Sequence, residues 1–394
     1  MTIRVSFAIL MLCAAVSPVH SQRLVRNLKA VEEWARQDTN DAHRVYELAL
    51  AHWQQHHWPQ TDSLLRLAAR IEPRYADAYL ALAYLPFARR TSLSDEVLRD
   101  HVSDQWKPIV AEAADFYQRA FRTDPMVSLD VMTVARELDE PRAIDYTPAQ
   151  WLAYLRCCAW WVDLSLGRYR SASERMTKLA QNEFDEAKHP DKVPDVILVY
   201  RGLAFAHSWQ YDAAIADFRA LLERTVKKTE RNEIIHVPLR DNDYRFMLAA
   251  LHHLAGHTDS AVAMYQQALE HDLGLAAAHT FLASIYEQTN RPADALLERR
   301  RAVEVDHDDP AALFDLAISL FNAGHAGEAL DPLYRAIGLN PRFSPPYYTL
   351  GRIAEALNQP EEARDQYKRF LASAPLRLED LRQDAEQRLE HLPK

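Results

Sequence analysis

From Leu248 onward, apolar and polar residues alternate with a helical period, and the pattern restarts at a fixed interval. Ala261, Ala295, Ala329 and Ala363 stand 34 residues apart. Four positions after each comes Tyr265, Arg299, Leu333 or Tyr367, and three further on Ala268, Ala302, Ala336 or Phe370. A small residue followed by partners at i+4 and i+7 marks one face of a helix. Each of these helices follows a break, at His257-Thr258, Arg291-Pro292, Gly324-His325 or Gln359-Pro360. Before each break lies another helical pattern: Leu248-Ala249, Leu282-Ala283-x2-Tyr286, Leu316-Ala317-x2-Leu320 and Tyr347-x2-Leu350-Gly351. Asp309-Pro310 is a helix start, with aspartate as cap and proline in the first turn. Pro341 and Pro375 are stops, because proline cannot continue the hydrogen-bond ladder. The spacing predicts helix pairs, repeated in tandem.

This arrangement resembles the tetratricopeptide repeat, whose W-x2-L-G-x2-Y, A-x3-F and P positions recur with a period of about 34 residues. Its best copy here is Tyr347-x2-Leu350-Gly351 followed by Ala363-x3-Tyr367 and Pro375. Small residues at Gly351 and Ala363 are expected to let two antiparallel helices approach closely. Toward the N-terminus the frame recurs more loosely. Gly202, Phe205, Tyr211, Ala214 and Phe218 form one copy, and Gly167, Arg168, Tyr169, Ala172 and Met176 anchor another. A split copy runs from Tyr79, Leu82 and Ala83 to Ala113, Tyr117, Ala120 and Pro125. The first copy holds Leu48, Ala49, Trp58, Leu65, Ala68 and Pro73, with Thr61 where alanine is usual.

The fold class expected is all-α, an α-solenoid of stacked antiparallel helix pairs. Residues 42–375 are read as about eight repeats, with longer joins near 89–108, 139–149, 181–194 and 225–240. Residues 22–41 are read as a flanking helix and 376–394 as a helix capping the open end of the stack.

Composition agrees with helices and narrows the chemistry. Of 394 residues only 8 are glycine, and none precedes Gly167, so no phosphate-cradling loop can be built early in the chain. The net charge is −10, and no basic block interleaved with aromatics offsets it, which disfavours nucleic acid. Residues 1–21 carry one arginine, an apolar run from Val5 to Val16 and small residues at Val19 and Ser21, which reads as a secretory signal cut before Gln22. Cys157 and Cys158 are adjacent, and neighbouring helical cysteines diverge around the axis, so they read as small apolar side chains. No Asn-x-Ser/Thr sequon occurs. The expectation is export, to a bacterial periplasm first, with envelope association or secretion as alternatives, rather than through a glycosylating pathway.

Catalytic signatures are missing from the sequence. There is no Gly-x-Ser-x-Gly, Walker loop, His-Glu-x-x-His or Cys-x-x-Cys. His52, His56 and His57, with His252, His253 and His257, place imidazoles four apart, but they fall at packing and turn positions. No catalytic residue, cofactor or metal is assigned.

The family resemblance implies that the first helix of each pair lines the inner surface. On the helix holding Leu313, Leu316, Ala317 and Leu320, a second stripe of Phe314, Ile318 and Phe321 is displaced around the axis. Counterparts are Tyr46, Leu50 and Trp53; Val199 and Leu203; Phe246, Ala250 and His253; and Tyr348 with Arg352. Relatives that clamp an acidic peptide terminus use lysine and asparagine there, so that function is not carried over. The partner expected is a protein or peptide with an apolar segment, bound through Tyr46, Leu50, Trp53, Phe246, His253, Phe314, Ile318, Phe321, Tyr348 and Arg352. The alternative is a carrier or sensor holding a lipid or other hydrophobic small molecule in the same groove. If the stripe is simply core, its rings will be covered by the chain itself.

Overall fold

The structure is a computed structural model, and it describes residues 27–88, 107–126, 163–164, 167–230 and 240–393. Among the described residues the regular structure is helical, and no strand occurs. Helix α1 spans Leu28–Arg36, α2 Ala42–Gln54, α3 Trp58–Ile71, α4 Ala76–Ala88 and α5 Lys107–Thr123. Then come α6 (Tyr169–Phe184), α7 (Asp195–His207), α8 (Tyr211–Glu230), α9 (Asp241–Leu254) and α10 (Thr258–His271). The last seven are α11 (Ala276–Gln288), α12 (Pro292–Val305), α13 (Pro310–Asn322), α14 (Leu330–Leu339), α15 (Pro345–Ala356), α16 (Pro360–Ser373) and α17 (Glu379–His391).

Sequence chemistry accounts for these ends. Asp309 caps α13 by accepting a hydrogen bond from the Ala311 amide at 2.8 Å, and Pro310 opens the first turn. Helix α14 stops two residues before Pro341, and α16 two before Pro375. In six pairs among the described residues the first helix ends on a left-handed residue. Gly256 and Gly324 serve in two turns, Asn290 and Asn358 in two others, each 34 residues from the next. His56 at φ 58° and Trp209 at φ 60° hold the same place in the turns before α3 and α8, where a side chain is strained.

The chain divides into two compact units. One covers Asp124–His271 of the described residues, and there α6 packs on α7, α7 on α8, α8 on α9 and α9 on α10. The other joins the two ends of the chain, Arg26–Thr123 with Asp272–Lys394, and we call it the terminal unit. In it the helices from α1 to α5 pack in order, and so do those from α11 to α17. Each is a run of stacked antiparallel helix pairs, so the fold is an α-solenoid.

The repeating small positions are where the pairs meet. Ala261, Ala329 and Ala363 are wholly buried, as are Tyr265, Leu333 and Tyr367 four residues on. A Cβ added at Gly351 would stand 2.6 Å from the Tyr367 ring, and one at Gly202 would stand 2.9 Å from Phe218. Only glycine permits those rings to lie against the facing backbone. Helix α17 buries Ala385 against α16, with Leu378, Leu381 and Leu389 half-buried around it.

Two sequence expectations need correction or placement. The join expected at 225–240 begins later, since α8 runs through Lys227 and Lys228 to Glu230. Lys228 and Arg224 both donate to Asp195 of α7, at 2.6 and 2.7 Å. The join at 181–194 is a short connection holding one 3-10 turn, Pro190–Lys192. Residues 1–21, Cys157, Cys158, the join at 139–149 and that at 89–108, except for 107–108 in α5, lie outside the described residues.

Candidate functional site

Helix α13 shows how one helix serves two faces. Leu313, Leu316, Ala317 and Leu320 are buried with Ala329, Leu333 and Ala336 of the next segment and Leu350 and Ile353 of α15. Phe314, Ile318 and Phe321, displaced around the axis, are half-buried. Phe314 meets Phe343 edge to face, with ring centroids 5.5 Å apart and planes at 82°. On α15, Tyr348 leans against Tyr367 and Phe370, and its hydroxyl donates to Asp384 of α17 at 2.5 Å. Arg352 reaches the Tyr348 hydroxyl at 3.4 Å. Burial pushes the Asp384 carboxyl up, but hydrogen bonds from Arg388 and Tyr348 outweigh it and hold the pKa below the usual carboxylate range.

Four of the residues expected on the binding stripe are core instead. Tyr46 is 6% exposed, Leu50 2%, Trp53 1% and Phe246 1%. For the three rings the reason is aromatic neighbours from the adjoining segments. Tyr75 covers Tyr46, while Tyr84 of α4 stacks on Trp53 and Trp58 packs edge-on against it. Phe246 lies against Tyr265 of α10. His253 on α9 is half-buried. Of the stripe residues expected in the terminal unit, those on α13 and α15 stay partly open, whereas those on α2 do not.

A polar cluster that the stripe reading missed borders Phe314 and Ile318. Arg299 of α12 is 6% exposed and spends its guanidinium on Glu287 through two bonds, on Ser284, on the Thr280 carbonyl and on Asp315 at 2.9 Å. Ser319 donates to Glu287 at 2.8 Å. Arg74, from the turn between α3 and α4, forms an ion pair with the same Asp315 at 2.7 Å. A buried guanidinium demands such partners, because an unpaired buried charge is costly. The signal is present in the sequence: Arg299 stands where the other repeats have Tyr265, Leu333 and Tyr367. Arg201 follows the same logic in the other unit, binding both Asp217 and Glu186.

The histidines pair five residues apart rather than four. His52 and His57 bring their Nδ1 atoms to 3.2 Å, and His252 and His257 to 3.4 Å, because the chain reverses at His56 and Gly256 before the second ring arrives. Burial, with His57 beside it, lowers the pKa of His52; burial, with Arg219 and His257, lowers that of His252. Among the described residues no group of three or more His, Cys, Asp or Glu side chains is placed to hold a metal. No described helix is long and apolar enough to cross a membrane.

Comparison with known proteins places the repeat in a family. The sequence profile of the tetratricopeptide repeat matches residues 344–375, which span α15 and α16. No curated protein matches the sequence. Among solved structures, the crystal structure of MamA is similar at 17% identity over 44% of this chain and 93% of that one, with a TM-score of 0.38. YrrB, described as a TPR protein with an unusual peptide-binding site, is similar at 17% identity over 52% of this chain and 97% of its own, with a TM-score of 0.40. The C-terminal part of a TPR repeat-containing protein from Cytophaga hutchinsonii is similar at 15% identity over 57% of this chain and 78% of its own, with a TM-score of 0.41. Likenesses at these scores do not bear on function. Residues 344–375 thus match the tetratricopeptide repeat, and the helix pairs before them carry the same 34-residue period.

Proposed function

We propose that the protein is a non-catalytic scaffold that binds another protein, taking an apolar segment on the half-buried faces of α13 and α15. The observation that carries this reading is the contrast on α13: one face completes the core, while Phe314 and Phe321 pack at the edge of that core and, with Ile318, remain half-buried. Large apolar side chains beside a charged cluster make good anchors for a helix or an extended strand. Covering three of them would contribute on the order of several kcal/mol before the entropic cost of docking. The signal-like segment at 1–21 supports placing that scaffold outside the cytoplasm, in the periplasm or at the envelope.

The test is selection of peptides from a displayed library against the immobilised chain, followed by affinity measurement on Phe321→Asp. Selected peptides should carry apolar residues and lose about tenfold or more in affinity, corresponding to about 1.4 kcal/mol. Unchanged affinity in that variant, or a collapse of its melting temperature, would overturn the reading. Native mass spectrometry of the purified chain separates it from a lipid or small-molecule carrier, which would retain its apolar ligand.

A further inference from the structure

Inside the terminal unit, the N-terminal repeats touch the C-terminal ones through polar groups supplied by turns. Asn40 donates to the Ala372 carbonyl at 3.3 Å, and the Leu376 amide donates to Asp38 at 2.6 Å. Arg377 binds Glu72 and lies 3.9 Å from Asp41, while Asn340 donates to the Arg70 carbonyl. Arg74 binds Asp315. Hydrogen bonds and ion pairs of this kind, supplied by turns, are what transient interfaces are made of.

The charge at Asp315 says what this junction hides. Asp315 and Glu287 bring two negative charges, and Arg299 returns one positive charge. Arg299 is fully engaged and cannot swing to supply the other. Arg74 supplies it, with its side chain 39% exposed against 18% for Asp315. Withdrawing Arg74 leaves one net negative charge on the cluster of Asp315, Glu287 and Arg299, of which Asp315 shares its helix with Phe314 and Ile318.

We propose that turns 37–41 and 70–74 form a removable polar clasp on the C-terminal repeats, in which Arg74 holds at Asp315 the place that an arginine of an incoming protein segment takes. Arginine suits this carboxylate better than lysine, since its planar donors can engage an oxygen already shared with Arg299. The apolar part of that segment rests on the reading given under Proposed function; the arginine does not.

The experiment uses residues 66–79 of this chain, Arg66 to Tyr79, as a labelled peptide in trans, with fluorescence anisotropy on the full chain. The Arg74→Ala chain should bind this peptide about tenfold or more tightly than the unaltered chain does, because its own arginine no longer competes. Adding Asp315→Asn should remove that gain. Equal affinity for the two chains, or a gain that survives Asp315→Asn, would overturn the clasp. Binding that depends on Asp315 but ignores Phe321→Asp supports the clasp and overturns the apolar-segment reading. A second measurement needs no peptide. In the unaltered chain the Leu376 amide, bonded only across the clasp, should exchange about tenfold or more faster than the Leu350 amide in α15, and equal rates would show that the junction opens only on global unfolding.

Discussion

Helices α2 and α13 begin with the same kind of sequence and end differently. Both carry large apolar residues at i, i+4 and i+7, Tyr46, Leu50 and Trp53 on the first and Phe314, Ile318 and Phe321 on the second. On α2 all three are buried, with Tyr75 against Tyr46 and with Tyr84 and Trp58 against Trp53. On α13 the same face meets Phe343 and stays half-open. Helical spacing identifies a face; the neighbouring turn and the next helix decide whether that face is core or surface.

The largest break in this comparison comes from removing a ring on each helix. Trp53→Ala should cost about 3–5 kcal/mol, since its surroundings cannot collapse onto the space left behind. Phe321→Asp should cost about 1 kcal/mol or less, as expected for a position that solvent already reaches. Denaturant unfolding of both variants measures the difference, and similar losses would mean that α13 is as much core as α2.

Next comes Gly351→Ala, which tests the close approach beneath the open stripe. The added Cβ would press on the Tyr367 ring at 2.6 Å and should cost about 1–3 kcal/mol, read as a drop in melting temperature. A neutral result would show that α15 and α16 have room to separate.

Much of this architecture is legible in the amino-acid order alone. The 34-residue period locates the helix pairs, and the alanine and glycine positions locate their contacts, because both are properties of one helix and its immediate successor. The fate of Tyr46 and Trp53 is not legible there, since covering residues such as Tyr75 and Tyr84 belong to no repeated motif. Nor is the Arg74–Asp315 pair, whose members are 241 positions apart in the sequence. Arg299 is the one visible trace of that cluster, as a charge standing at an apolar position.

A smaller effect is expected from acid. Burial lowers the pKa of His52, with His57 adding to the shift, so the unfolded chain binds its proton more readily than the folded chain. The stability tied to neutral His52 is thus present above the unfolded value of about 6.5 and is lost as pH falls through the lower folded value. Melting temperature measured from pH 7 to pH 5 should fall less steeply for His52→Asn than for the unaltered chain. Parallel curves would mean that His52 contributes nothing to the acid response.

The smallest effect sharpens the turns. Trp209 is 81% exposed at φ 60°, where Gly256 and Gly324 serve in other repeats. Trp209→Gly should stabilise by about 0.5–1 kcal/mol through relief of left-handed strain. A loss of stability would mean that the indole packs more usefully than its exposure indicates.

That α13 and α15 offer the surface a partner segment covers is tested most directly by backbone hydrogen exchange on the full chain with a selected peptide. Slowed exchange is expected in 310–322 and 345–356, with α2 and α9 unchanged. Slowing confined to other helices, or none at all at saturating peptide, would contradict it.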